Sequence, residues 1–139
     1  MGKYGIGNTF GTETVEWNNG QKRVWREIRH RFPSGGTFDS ATLTQNKGKV
    51  IPAGSPVTFD QAKKTLKLVT GKEGEGLVII DGFTQEDVYV KDGVTAGTAT
   101  VIYDGEIYEP VLKAAVLGGD DSALTAVKKA APAGIKFVQ

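Results

Sequence analysis

The chain has 139 residues, 17 Lys and Arg against 16 Asp and Glu for a net charge of +1, one His and no Cys. Disulfides, thiolate metal ligands and cysteine nucleophiles are thereby excluded, and the molecule as a whole is no trap for polyanions. No run approaches the roughly 20 apolar residues of a membrane span, the N-terminus lacks the apolar segment of a signal peptide, and the length suits one domain plus an arm.

Nineteen Gly separate runs rich in Val, Ile, Thr and Tyr, the profile of a mainly β protein with many turns. Asn19-Gly20 fits the two positive-φ positions of a type I′ hairpin, which sets Trp17 opposite Lys22, Glu16 opposite Arg23, Val15 opposite Val24 and Thr14 opposite Trp25. Val24, Ile28 and Phe32 also recur at helical spacing, but the turn chemistry favours a strand. Residues 33–49 carry Gly, Ser, Thr and Asn without a sustained period and read as a connector, so a boundary is expected there: an N-terminal arm with a basic hairpin over 1–45, and a β-rich domain over 46–139.

Pro52 and Gly54 then predict a turn that launches a strand through Val57 and Phe59, and Leu66 and Leu68 alternate in the next run. KEGEG reads as a charged loop. GLVIID reads as a strand buried on both faces, and Val88 to Val90 as a further strand. Asp104-Gly105 predicts a second tight hairpin, with Ile102 opposite Ile107, and Pro110 marks an edge or the end of its second strand. Asp120 or Asp121 can cap a helix whose apolar stripe is Leu124, Val127 and Ala130 or Ala131, with Lys128 and Lys129 at its negative end. Pro132 stops it, and Gly134 releases a last strand over Ile135 to Val138.

Chemistry is sparse. His30 stands between Arg29 and Arg31 with no nucleophile close in sequence, and Glu86 and Asp87 would point to opposite faces of a strand. The loop GKEGEG lacks the Gly-Lys-Ser/Thr ending of a phosphate cradle, and no zinc or EF-hand calcium spacing occurs. No cofactor or metal is implied. The segment QKRVWREIRHRF stands out: Lys22, Arg23, Arg26, Arg29 and Arg31 face Glu27 alone, with Trp25 and Phe32 interleaved. Cations among aromatic faces suit an acidic protein surface or single-stranded nucleic acid. Trp17, Arg23, Trp25, Arg26, Arg29 and Arg31 are therefore the candidate partner-binding residues.

From Val50 to Gln139 the order of features resembles the head decoration proteins of tailed bacteriophages, the lambda type in particular. VIPAGSPV leads into a strand, GLVIIDGFTQEDV carries an acidic Asp-Val step, TATVIYDGEIY follows, and ALTAVKKAAPAGIKFV closes with a short helix and a Gly-Ile strand. The resemblance implies a small β-rich domain, sandwich or barrel-like, with one short helix near its C-terminus. It implies a homotrimer on the outside of an icosahedral capsid, made in the host cytoplasm, that binds the major capsid protein and reinforces the shell. The protein expected is thus a non-enzymatic virion component, the alternative being a nucleic-acid-binding module built on residues 22–32.

Overall fold

The computed structural model describes residues 23–74, 76–91 and 97–139. The Asn19-Gly20 hairpin and Trp17 lie outside them. Among the described residues ten strands dominate: β1 (Trp25–Arg31), β2 (Gly36–Phe38), β3 (Val50–Ile51), β4 (Pro56–Asp60), β5 (Thr65–Leu68), β6 (Gly82–Thr84), β7 (Val88–Tyr89), β8 (Thr98–Ala99), β9 (Val101–Tyr108) and β10 (Ile135–Val138). Helices are few. These are α1 (Ser40–Gln45), the three-residue α2 (Glu109–Val111), which runs into a π-helical turn at Leu112–Val116, and α3 (Asp121–Ala130). The fold is mainly β, a curled sheet forming a half-barrel with a short C-terminal helix, as the composition predicts.

The sheet runs in the order β1-β9-β6-β4-β5-β2-β8, with β10 also paired to β9, and β3 and β7 form a separate ribbon. Local chemistry explains its best-defined parts. In the β4-β5 hairpin the Asp60 carboxylate accepts from the backbone N–H groups of Ala62 and Lys63 at 3.0 and 3.2 Å, and Lys64 closes the turn at φ 57°. Pro52 accepts from the Ser55 N–H at 3.2 Å while Gly54 takes φ 85°, the turn expected before β4. Asp120 caps α3 by accepting from the Ala123 N–H at 3.0 Å. Leu124 and Val127 are buried, and α3 ends before Pro132. Strand β10 then lies parallel to β9, with Ile135 beside Gly105 and Val138 beside Tyr108.

Two apolar clusters fill the interior. One gathers Trp25, Phe83, Ile102, Ile107, Leu112, Leu124 and Val127; the other Phe38, Leu43, Ile51, Val57, Phe59 and Leu66 with Val101. Strand β9 supplies both, through Ile102 and Ile107 on one side and Val101 on the other.

Three expectations are corrected. First, Asp104-Gly105 makes no turn: β9 is one continuous strand through it, flanked by β1 on one edge and by β6 and then β10 on the other. Gly105 serves close approach instead of a positive φ, because a Cβ there would sit 2.5 Å from the Glu27 carbonyl oxygen. Pairing along both edges satisfies more backbone groups than a two-residue loop would.

Second, GLVIID is not a strand buried on both faces. Leu77 and Ile79 are 67% and 57% exposed, and only Val78 and Ile80 turn toward the core. The segment lies beside β4, where the Thr58 hydroxyl donates to the Ile79 carbonyl at 2.6 Å and the Asp81 N–H to that of Val57 at 2.9 Å.

Third, the described part of the 1–45 arm belongs to the sheet. β1 pairs antiparallel with β9, β2 joins β5 and β8, and Val24, Trp25, Phe38 and Leu43 are core residues. The connector holds β2 and α1, which Asp39 caps by accepting from the Thr42 N–H at 2.9 Å. No division falls between residues 45 and 46 in what is described, because long-range pairing overrides the turn-rich composition there.

Candidate functional site

Strand β1 carries the arginine cluster, and its geometry decides which of those residues face outward. Its register against β9 shifts between Trp25 and Glu27, between Ile28 and His30, and again between His30 and Arg31. Each irregularity breaks the alternation of faces. As a result Arg26, Arg29, His30 and Arg31 are all exposed, while Ile28 is half-buried against the core.

Trp25 goes the other way. It is 6% exposed, and its indole Nε1–H donates to the Thr84 carbonyl at 2.9 Å. A buried Trp with its N–H satisfied is a core anchor, so the assignment of Trp25 to a partner surface is corrected. The assignment failed because the aromatic was counted with its charged neighbours.

The arginines meet carboxylates on the adjacent strand. Arg26 bonds to Glu106 through Nη1. Arg29 Nε donates to Asp104 Oδ1 at 2.8 Å, and its Nη1 to Glu27 Oε1 at 2.7 Å and to Glu106 Oε2 at 3.5 Å. The Arg26 hydrogen bond holds the Glu106 carboxyl below the usual glutamate range, against the smaller opposing pull of partial burial. Arg29 is in turn raised, chiefly by the bond to Asp104. Two guanidiniums thus stand against three carboxylates, Glu27, Asp104 and Glu106, and the charge of Arg26 and Arg29 is matched mainly by residues some 75 to 80 positions away. His30 lies 3.9 Å from Asp104 Oδ2 and stacks on Tyr103 at 6.0 Å. Arg31 has no ion-pair partner among the described residues, and Arg23, where the description begins, is exposed. Of the candidate residues, Arg23 and Arg31 have no ion-pair partner among the described residues, Arg26 and Arg29 are engaged, and Trp17 is outside the described residues.

Asp81, Asp87 and Glu73 have structural work. Asp81 Oδ2 accepts from the Phe59 N–H at 2.8 Å and Asp87 Oδ1 from the Ala53 N–H at 2.7 Å. Glu73 folds onto its own loop, accepting from the N–H groups of Thr70 and Gly71 at 2.7 and 2.9 Å. Burial pushes the Glu73 carboxyl up, but those N–H groups outweigh it and the net direction is down. Among the described residues no group of three or more metal-ligating side chains converges.

One surface escaped the sequence reading. Leu77 and Ile79 project from the segment before β6, beside a groove of about 720 Å³ between that segment and α3. An apolar run is the same signal whether it is covered on one face or two, so its exposure was not legible locally. Set against known proteins, the chain matches no family model, no curated protein sequence and no solved structure.

Proposed function

We propose that this protein is a structural component of a tailed-phage virion that binds the outside of an icosahedral capsid, as a trimer, and clamps neighbouring major capsid subunits. The observation that carries the reading is the C-terminal succession on which the resemblance rests. β9, α3, Gly134 and β10 pack as one unit, with β10 laid along β9 and α3 closing the larger apolar cluster. The mechanism is distributed contact, in which the exposed Arg23 and Arg31 pair with acidic shell surface. No catalytic step and no cofactor enter it.

The competing use of residues 22–32, contact with nucleic acid, draws less support because Arg26 and Arg29 already face Glu106, Asp104 and Glu27. The test is co-sedimentation of the protein with shells that lack it. Binding that raises the melting temperature of the shell and weakens in an Arg23→Glu/Arg31→Glu variant is the expected result. Failure to bind shells, together with salt-sensitive binding of single-stranded DNA of any sequence, would overturn it.

A further inference from the structure

A row of four rings runs from the core to the surface across β4, β9 and β1. Phe59 is buried, Phe32 packs edge-on against it at 5.2 Å between centroids, and Tyr103 lies 4.7 Å from Phe32. His30 then stacks on Tyr103 at 6.0 Å with 17° between the ring planes. Rings in full register would sit about 3.5–4 Å apart, so these two are offset and part of each ring stays open. The outer end is the accessible one: the His30 side chain is 62% exposed and Tyr103 37%. The Tyr103 hydroxyl has no hydrogen-bond partner among the described residues. Because Phe59 roots the row in the core, the platform is in place before anything binds.

Beside the open end lies the ion-paired cluster of β1 and β9. Asp104 stands 3.9 Å from His30 Nε2 and is held by Arg29 at 2.8 Å. Arg29 spends Nε and Nη1 on carboxylates, which fixes the guanidinium and leaves Nη2 without a partner among the described residues. With two guanidiniums against three carboxylates the charges nearly cancel, so this surface draws in neither a polyanion nor a polycation. It offers fixed donors and acceptors next to open ring area. A sugar uses all of these at once, since its hydroxyls both donate and accept and its C–H faces lie on the negative face of an aromatic ring. We propose that His30 and Tyr103, with Arg29 and Asp104 beside them, bind a neutral oligosaccharide. The site does not rest on the shell reading.

The experiment adds maltohexaose, cellohexaose or N-acetylated chitohexaose to the full chain. The ring protons of His30, the single His of the sequence, are followed by NMR at fixed pH. At least one of these sugars is expected to shift those signals saturably. Tyr103→Ser should weaken that binding about tenfold or more, whereas Tyr103→Phe, which keeps the ring, should stay within about threefold of wild type. Should Tyr103→Ser fail to fold, His30→Ala at the most exposed ring replaces it, with the same weakening read by calorimetry. No shift with any of the three sugars, or undiminished binding by Tyr103→Ser, would overturn the assignment. So would oligo-dT or hexaglutamate moving the same signals at lower concentration than any sugar. Sugar binding by a chain that ignores shells would remove the shell reading and leave this site standing, and shell binding without sugar binding would do the reverse.

Discussion

Strand β9 and the segment from Leu77 to Ile80 invert what their compositions promise. The first carries Tyr103, Asp104, Gly105 and Glu106 in its middle, yet it is the hub that β1, β6 and β10 share. The second is four aliphatics in a row, yet half of them face outward. Centrality in this sheet follows from how many edges a strand can pair, and a glycine that admits a close neighbour does more for that than another apolar side chain.

The comparison breaks first if β1 is removed. Deleting residues 1–40 takes away β1 and β2, uncovers one edge of β9 and removes Trp25 from the core. The remainder is expected to lose its cooperative melting transition, whereas a chain beginning at Arg23 keeps every contact described above. A sharp melt from the shorter fragment would show that β9 does not need its neighbour. Next in size, Trp25→Ala should cost about 4 kcal/mol in urea unfolding, the scale of truncating a buried aromatic. A cost under about 1 kcal/mol would return Trp25 to the surface. Gly105→Val follows at about 3 kcal/mol, because its Cβ would meet the Glu27 carbonyl at 2.5 Å and the Trp25 ring at 3.1 Å. Gly105→Asn separates this account from a turn, since Asn adopts a positive φ readily at a turn position but here would still meet the Glu27 carbonyl.

A smaller effect concerns acid. The folded state holds Glu106 below the ordinary glutamate value through Arg26, and Asp120 below the aspartate value through the Ala123 N–H. Both depressions favour the folded form when the carboxyls are ionised. Their contribution is therefore present at neutral pH and lost as pH falls below about 4 and through the lowered values. Melting temperature should drop across that window, less steeply for Glu106→Gln than for wild type, and less steeply at high salt. The smallest change is expected at the other pole of the comparison: Leu77→Ser should leave the unfolding free energy of the dilute protein within about 0.5 kcal/mol of wild type. A large loss would mean that its side chain supports the fold.

Elements whose signals are local were legible. The cap at Asp120, the stop at Pro132 and the strand from Ile135 follow from neighbours within a few residues, as do β4, β5 and the Pro52 turn. What failed depended on distance. Asp104-Gly105 obeys turn statistics, and only the arrival of β1 and β10 makes it strand. Arg26 and Arg29 read as free cations until β9 brings Glu106 and Asp104 beside them. The surface of Leu77 and Ile79 was missed for the same reason, since no residue nearby says which face of an apolar run will be covered.

The pairing of β1 with β9 also orders events in time. Arg26 precedes Glu106 by 80 residues, so a ribosome adding about 5–20 residues per second finishes β1 some 4 to 16 s before its partner exists. During that interval β1 is a strand without a ladder, the condition in which nascent chains stick to one another. Its arginines, matched only by Glu27 until the acidic strand emerges, disfavour pairing with a second copy in the same state, and that repulsion falls when Glu106 and Asp104 arrive. The ion pairs thus act as a latch whose open form protects the unfinished chain and whose closed form belongs only to the finished one.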